Sequence, residues 1–456
     1  MEAAVVTTAP REAPSGVAAR RVLGSPISAV RQVTRSAGTT PGRLTVIAVG
    51  LVLLTLLTGL VGAVALRQKQ TAIDNLIEHR EPLAAAAQQV YRSLSDADAT
   101  AASAFLAGGI EPDALRQRYQ RDIAQAGAAL ATASSDVGGV PEAQAQVQQL
   151  NQQLPVYAAL VETARANNRQ GFPAGAAYLR EASGLMRSKI LPAAQALYQI
   201  DFERLRAEQA DARSFPWTTV ALTVLLLAAL IATQLYLTRK TNRLINVGLF
   251  AATAAVLLGL VWGTVALLVE SSGVADGQRN GSDQVEVLVR ARIATLKLRA
   301  DETLTLVARG DAPQYEQEFA ELSKQVSGAT DANLLVQAKN LAPNQQVADE
   351  VQAAIDNTNA YLAAHQKIRE SDGQGRYDDA VNATIKEDAP NSAAAAFAKL
   401  DDNLLKALNE GRQEFVNQTL GARNALTGLV PGIAVLALLA AAAITLGIAQ
   451  RLREYR

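Results

Sequence analysis

The chain has 456 residues, of which 49% are apolar but only 4% aromatic, and its formal net charge is zero. Alanine and leucine supply the apolar content, a composition that favours helices over aromatic-rich sheet. The chain has no cysteine, which excludes disulfides and thiolate metal sites. Its two histidines are too few for a histidine-rich metal centre. We therefore expect neither a metal nor a cofactor.

The first 43 residues are predicted to be a disordered basic arm. Residues 1–43 hold six arginines among Ala, Pro, Ser, Thr and Gly, with no sustained apolar period. Such an arm is typical of a cytoplasmic segment that also touches anionic lipid. A docking or phosphorylation segment is the alternative, to which Ser25-Pro26 and Thr40-Pro41 point only weakly.

Four uncharged apolar runs are long enough to cross a bilayer, which takes about 20 residues. They are residues 44–66, 217–237, 244–269 and 427–449. The arm, a loop at 238–243 and a tail at 450–456 together carry twelve Lys and Arg against three acids. By the positive-inside rule these pieces, including both termini, are cytoplasmic. The sequence therefore predicts a multi-pass protein of the plasma membrane.

The two remaining segments, residues 67–215 and 270–426, are predicted to be extracytoplasmic helical bundles. Glycine and proline turns divide each segment into four helical stretches, as at Gly138-Gly139 and at Pro343. Kinks or breaks are expected where Pro155 and Pro192 fall inside predicted helices. The fold class that follows is an all-α membrane protein with four transmembrane helices and two tandem four-helix bundles.

The two bundles show signs of an internal duplication. Tyr157 and Tyr361 match at an offset of 204 residues, as do Gly171 and Gly375. The order of span, four helical segments and span also occurs twice. Each unit has an even number of spans, so both units have the same orientation in the membrane. A parallel duplication is therefore predicted.

The turns farthest from the membrane are predicted to contact a soluble partner, because the first and fourth helix of each bundle continue into spans. The candidate partner-binding residues are Gly108, Gly109, Asp113, Asn168, Arg169, Asp311, Asp372, Arg376 and Asp378. For the acidic group around Arg376, a solvated loop is the alternative. Asp98 is either a partner for an amine or arginine, or a partly hydrated position in the bundle. His79 and His365 are expected on helix surfaces.

No sequence motif indicates an enzyme. Walker A, Rossmann, HExxH and GxSxG patterns are missing, so we expect no catalytic residues, and nucleic acid is not an expected partner. The spans lack charged residues, which disfavours proton- or ion-coupled transport. Two small-residue pairs, Gly259 with Gly263 and Gly428 with Gly432, have the spacing of close helix packing in membranes. Chance is an equal explanation for both pairs.

The layout of span, extracytoplasmic bundle and span resembles bacterial chemoreceptor and sensor-kinase input modules, without an output module. The cysteine-free, alanine- and arginine-rich chain with four spans and two outside helical domains resembles the GlnX family of actinobacterial membrane sensors. This resemblance rests on topology, composition and length. It implies contact with a solute-binding lipoprotein loaded with an acidic amino acid, and a signal to the cytoplasmic serine/threonine kinase named protein kinase G.

The sequence thus favours a signal-transducing receptor without enzyme activity. Two other functions stay open. One is a cell-envelope scaffold for wall or division machinery. The other is a direct small-molecule receptor with a pocket between the bundle helices. Both a monomer and a homodimer are compatible with the sequence.

Overall fold

A computed structural model describes residues 40–241, 246–309, 313–328, 333–388 and 392–453. The predicted all-α class is confirmed, because every regular element in these ranges is helical. Most of the arm at 1–43, part of the loop at 238–243 and the end of the tail at 450–456 lie outside the described residues.

The described part of the first half contains seven α-helices. They are α1 (Thr40–Asn75), α2 (Glu81–Leu106), α3 (Asp113–Ala133), α4 (Pro141–Arg169), α5 (Ala174–Leu185), α6 (Leu191–Arg213) and α7 (Trp217–Thr241). A π-helical turn at Leu76–Arg80 joins α1 to α2, and another at Met186–Ile190 joins α5 to α6. A 3₁₀ turn, Ser134–Gly139, follows α3.

The described part of the second half contains eight. They are α8 (Val247–Gly277), α9 (Asp283–Ala308), α10 (Pro313–Ser327), α11 (Leu334–Asn340), α12 (Gln345–Gly373), α13 (Tyr377–Ile385), α14 (Ala393–Ala425) and α15 (Leu429–Arg453). The π-helical turn Gln278–Ser282 joins α8 to α9.

The second bundle therefore differs from the predicted four segments. Its second segment is split into α10 and α11, and Asn333 caps α11 by accepting hydrogen bonds from the backbone N–H of Leu335 and Val336. Its fourth segment is split between α13 and α14, where Ser392 caps the new helix. The two prolines expected to kink or break helices of the first bundle differ in position. Pro155 lies inside α4, which it does not break. Pro192 lies in the first turn of α6, a position that proline commonly occupies.

Four helical stretches are long and apolar enough to cross a membrane, which indicates a multi-pass membrane protein. Two of them are helical throughout, whereas non-helical residues 214–216 interrupt the second stretch and a turn at residues 426–428 interrupts the fourth. The stretches are Gly42–Leu106, Ala174–Arg239, Val247–Ala308 and Ala393–Arg453. The π-helical turns Leu76–Arg80 and Gln278–Ser282 keep α1 continuous with α2 and α8 continuous with α9, because each turn absorbs an extra residue within the helix.

The described residues form two compact units, which we call the span unit and the bundle unit. The span unit comprises the described residues of 1–59, 221–258 and 435–456. Its core contains Leu51, Leu230, Leu249 and Ile444. Gly248 lets two backbones approach closely, since a Cβ there would lie 2.5 Å from the Cα of Gly447.

The bundle unit comprises residues 60–220 and the described part of 259–434. Its two central helices, α2 and α9, pack against each other, and in each of them 20 of 26 residues are buried. The remaining bundle helices surround this pair, so both bundles share one hydrophobic core. At the start of the unit, Lys69 is buried and pairs with Glu270 of α8 at 3.1 Å.

Candidate functional site

The candidate residues of the first bundle meet at two adjacent turns. Gly108 and Gly109 end α2 with positive φ angles of 71° and 46°, and Asp113 starts α3 on the surface. The side chain of Asn168 donates a hydrogen bond of 2.9 Å to the carbonyl of Phe105, which joins the end of α4 to the end of α2. Arg169 is exposed beside it. These five predicted residues are thus brought together.

We call this end of the first bundle the α2–α4 tip. A cavity of about 130 Å³ lies there, lined by Glu111, Arg116 and Arg165 among others. Glu111 holds it together by ion pairs with Arg165 at 3.0 Å and with Arg116 at 3.5 Å. Two large apolar side chains stand exposed at the same turns, Ile110 at 89% and Phe172 at 54%. Exposed apolar groups beside satisfied charges are typical of a protein-binding surface.

The candidate residues of the second bundle form no comparable group. Asp311 lies outside the described residues. Asp372 pairs with Arg369 at 2.8 Å, while Arg376 and Asp378 are exposed. The exposure of Arg376 and Asp378 therefore agrees with the alternative interpretation, a solvated segment.

The glycines predicted to allow close helix packing in the membrane lie in different surroundings. Gly432 packs under the ring of Trp262, where a Cβ would lie 2.4 Å from a ring carbon, and Gly263 lies near Ile433. Gly428 instead forms a turn before α15, with a φ of 79° and open space around it.

The sequence analysis missed a charged network in the centre of the bundle unit. Arg292 of α9 is 3% exposed and bonds Asp401 of α14 at 2.6 and 3.0 Å. Its second amino nitrogen also reaches Asp96 of α2 at 3.2 Å. One guanidinium thus ties a helix of the first bundle to two helices of the second. Charges at this depth are retained only when they are paired in this way.

A second polar group surrounds a cavity of about 210 Å³ between the bundles, which we call the inter-bundle cavity. Its charged lining residues are Asp98 of α2, Arg187 of the second π-helical turn, Lys297 of α9 and Glu318 of α10. Asp98 is 4% exposed and lines this cavity. It accepts hydrogen bonds from Ser183 at 2.8 Å and from Tyr157 at 3.4 Å.

Arg187 bridges the bundles at this cavity. It pairs with the buried Asp301 of α9 and, at 2.8 Å, with Glu318. No hydrogen bond or ion pair reaches Lys297 among the residues that the structure describes. Burial, followed by the neighbouring Arg187, lowers the pKa of Lys297. Burial also raises the pKa of Asp98, more than Arg187 and the two hydroxyl groups lower it.

His365 is a correction to the sequence analysis, because it is buried rather than on a helix surface. It is 4% exposed and stacks on Phe319 with ring centroids 3.6 Å apart. Its two ring nitrogens lie 3.2 Å from Glu302 and 3.3 Å from Glu316. Burial lowers the pKa of His365, but the bonds to both carboxylates outweigh burial and raise it. His79, in contrast, is exposed as expected.

These groups can hold charge but do not form a metal site within the described ranges. No cluster of three or more His, Asp or Glu suited to a metal ion occurs there. The only sequence signal for the buried charges was their place in otherwise Ala- and Leu-rich helical stripes, which drew attention to Asp98 but not to Arg187, Arg292, Lys297 or Asp301.

The comparisons with known proteins address the first bundle. Residues 72–210 match the model of the actinobacterial sensor domain. The match runs from the end of α1 to α6 and covers less than a third of the chain. It supports a sensor family in actinobacteria and includes the α2–α4 tip, Asp98 and Arg187. No curated protein and no solved structure matches the chain.

Proposed function

We propose that this chain is a non-enzymatic transmembrane sensor that engages a solute-binding lipoprotein outside the cell and relays its state to a cytoplasmic serine/threonine kinase. The sensor-domain match supports the broader role of sensor and signal transducer. The observation that carries the proposal is the continuity of two apolar helices, α1 and α8, with the central bundle helices α2 and α9.

A continuous helix gives a physical route for the signal. At 1.5 Å per residue, the 65 residues of Gly42–Leu106 extend over roughly 100 Å. Movement at one end is passed on when the packing around the helix has two alternative arrangements. Arg292 joins α9 to α2, and Arg187 joins the second π-helical turn to α9. Exchange of these ion pairs can separate two such arrangements, because each joins elements of both bundles.

The partner surface in this proposal is the α2–α4 tip of the first bundle. It presents Ile110 and Phe172 as apolar anchors and Arg169 as an exposed charge. Ligand-loaded lipoprotein, carrying an acidic amino acid as the resemblance implies, would bind there. With both termini in the cytoplasm, as the positive-inside rule predicts, a kinase could reach the basic arm and tail.

We also propose that the bundles arose by duplication of one unit. Helices α2 and α9 both have 26 residues and begin 202 residues apart. The π-helical turns before them show the same offset. Helices α4 and α12 both have 29 residues, begin 204 residues apart and are each followed by a glycine of positive φ. Equivalent helices thus pair within one chain, an arrangement that a homodimer of one unit would also produce.

The natural absence of cysteine makes disulfide cross-linking a clean test. In Gly273→Cys/Ala422→Cys, the new Cβ atoms would join α8 to α14, since they lie about 3.1 Å apart. Gly62→Cys/Thr219→Cys would join α1 to α7, since a Cβ at Gly62 would lie 3.5 Å from the Cγ2 of Thr219. We expect the rate of disulfide formation in at least one pair to change when membranes receive loaded lipoprotein, but not unloaded lipoprotein.

The control is the same pair in a chain that also carries Ile110→Ser/Phe172→Ser, which should no longer respond. Equal rates with loaded, unloaded and no lipoprotein in both pairs would contradict the proposed relay.

A further inference from the structure

The inter-bundle cavity is built from both bundles. Ser95 and Asp98 of α2 face it from one side, and Leu296, Lys297 and Ala300 of α9 face it from the other. Arg187 and Glu318, which form an ion pair of 2.8 Å, also line it. Anything bound in this space touches both bundles, so its binding depends on how they pack against each other.

Two opposite charges in the cavity lack an ionic partner at close range. Arg187 is occupied by Asp301 and Glu318. Asp98 receives only the hydroxyl groups of Ser183 and Tyr157. Lys297 receives no hydrogen bond or ion pair from any described residue. Asp98 is buried and Lys297 is half-buried. A charge withdrawn from water without a partner is unfavourable, so this carboxylate and this ammonium each favour a ligand group of the opposite charge.

The volume also fits a small solute. A cavity of about 210 Å³ holds roughly seven water molecules at about 30 Å³ each. That is room for a molecule of a few carbon atoms with two charged ends. Arg187 lies on a π-helical turn, a distortion that is often found at functional sites.

We propose that the inter-bundle cavity binds a small zwitterion, with the ammonium of the ligand at Asp98 and its carboxylate at Lys297. This inference rests on the proposed sensor function and extends it, because the chain then has a ligand of its own in addition to a protein partner. Each end of the zwitterion supplies the ion pair that one bundle lacks. Binding therefore favours the packing in which α2 and α9 hold Asp98 and Lys297 at the length of the ligand.

The test is the thermal stability of the full chain in detergent with a series of ω-amino acids from glycine to 6-aminohexanoate. We expect saturable stabilisation that is largest at one chain length, because the distance between the two protein charges selects the ligand. Ethylamine and acetate carry one charge each. The apparent affinity of each, taken from the same thermal shift, should be at least tenfold weaker than that of the best ω-amino acid.

Asp98→Asn and Lys297→Gln should each weaken the apparent affinity for the best probe about tenfold or more, since each removes a charge-assisted hydrogen bond. Asp402→Asn and Lys406→Gln are the matched controls, because those two residues form an exposed pair on α14. If Asp98→Asn does not fold, Lys297→Gln decides the result alone.

The inference is overturned if no probe stabilises the chain, if the single-charge compounds act as well as the zwitterions, or if the variants bind like the wild type. The cysteine pairs distinguish this failure from failure of the sensor function. A cross-linking response to loaded lipoprotein without any zwitterion binding would refute the cavity ligand and leave the relay standing.

Discussion

At the scale of single residues, Arg292 is the group on which the packing of the two central helices depends most. Arg292→Met would leave Asp96 and Asp401 buried without a positive charge between them. Removing one partner of a buried ion pair typically costs about 3–5 kcal/mol. We expect a loss of that order in the free energy of unfolding, measured by denaturation of the full chain in detergent.

Two further variants serve as controls for the Arg292→Met measurement. Lys406→Gln breaks the exposed pair with Asp402 and should cost less than about 1 kcal/mol. The triple variant Asp96→Asn/Arg292→Met/Asp401→Asn has no buried charge left in the network and should recover much of the lost stability. A loss for Arg292→Met no larger than for Lys406→Gln would show that the network does not hold the helices.

His365 makes the stability of the second bundle depend on pH. Its pKa is raised in the folded state by Glu302 and Glu316, so the folded chain binds this proton more tightly than the unfolded chain. The contribution to stability is complete below the ordinary histidine pKa and is lost as the pH rises through the folded value. We expect the wild type to unfold at a lower temperature at pH 8.5 than at pH 6.

His365→Gln isolates this contribution, because glutamine does not titrate. Arg299 and Arg369, which pair with Glu302 and Glu316, remain in the variant and keep their charge. The difference in melting temperature between the wild type and the variant should therefore be larger at pH 6 than at pH 8.5. A difference in melting temperature that does not change with pH would contradict the claim that Glu302 and Glu316 stabilise a protonated His365.

Asp122 of α3 shows the opposite case of a carboxyl group without a suitable partner. Burial and the nearby Asp96 raise the pKa of Asp122 to about 7. The unfolded chain ionises this group near pH 4, so the folded chain loses relative stability as the pH rises from about 4 to 7. Asp122→Asn should increase stability at pH 8 by on the order of 1 kcal/mol, after allowance for solvent screening.

At pH 4 the variant and the wild type should be nearly equal in melting temperature, because the carboxyl group is neutral in the folded chain and only about half ionised in the unfolded chain. Denaturation curves at pH 4 and pH 8 provide the comparison. Equal stability at both pH values would mean that Asp122 ionises normally.

At the scale of helices, the turns depend on a few glycines. Gly171 follows α4 with a φ of 72°, a conformation that costs other residues about 1 kcal/mol or more. Its surroundings are open, so Gly171→Ala tests the backbone alone. We expect a destabilisation of about 1 kcal/mol.

Gly184 is the matched control, because it lies inside α5 with open space and no positive φ. There alanine improves helix propensity, so Gly184→Ala should stabilise the chain by roughly 0.5–1 kcal/mol. The opposite signs, measured by denaturant unfolding, separate turn geometry from a general effect of adding a methyl group. Two changes of the same sign would exclude this explanation.

The same glycines explain how much of the fold was predictable. Helix ends at Gly108, Gly171 and Gly375 follow from local chemistry, and the structure places positive φ angles there. The short helix α11 lies where Gly328 and Pro343 predict a turn, although Asn333 before it is a good helix cap. The apolar runs were visible because membrane spans differ so strongly from soluble helices in composition.

The buried charges were not predictable, because they depend on partners far away in the chain. His365 lies in a polar stretch of α12, and its burial is decided by Phe319 on another helix. Arg292 is separated from Asp96 by 196 positions. Periodicity within one helix indicates which face is apolar, but it carries no information about the opposite charge that a second bundle supplies.

At the scale of the whole bundle unit, the central position of α2 and α9 means that neither bundle is complete alone. Most residues of α2 are buried, including positions that face α9. A helix that is buried on nearly all sides needs neighbours on all sides. The segments 67–215 and 270–426 expressed separately should therefore expose apolar surface at α2 or α9.

We expect each isolated segment to associate with itself or to aggregate, and the two segments co-expressed to form a stable heterodimer. Size-exclusion chromatography with light scattering measures the masses, and amide hydrogen exchange measures protection along α2. The Arg292→Met change provides the control, since it should weaken the heterodimer without altering the helices of either segment. Monomeric, well-protected isolated segments would show that each bundle has a core of its own. The two bundles could then move relative to each other without repacking α2 against α9. In that case a ligand at Asp98 and Lys297 could not couple the two bundles.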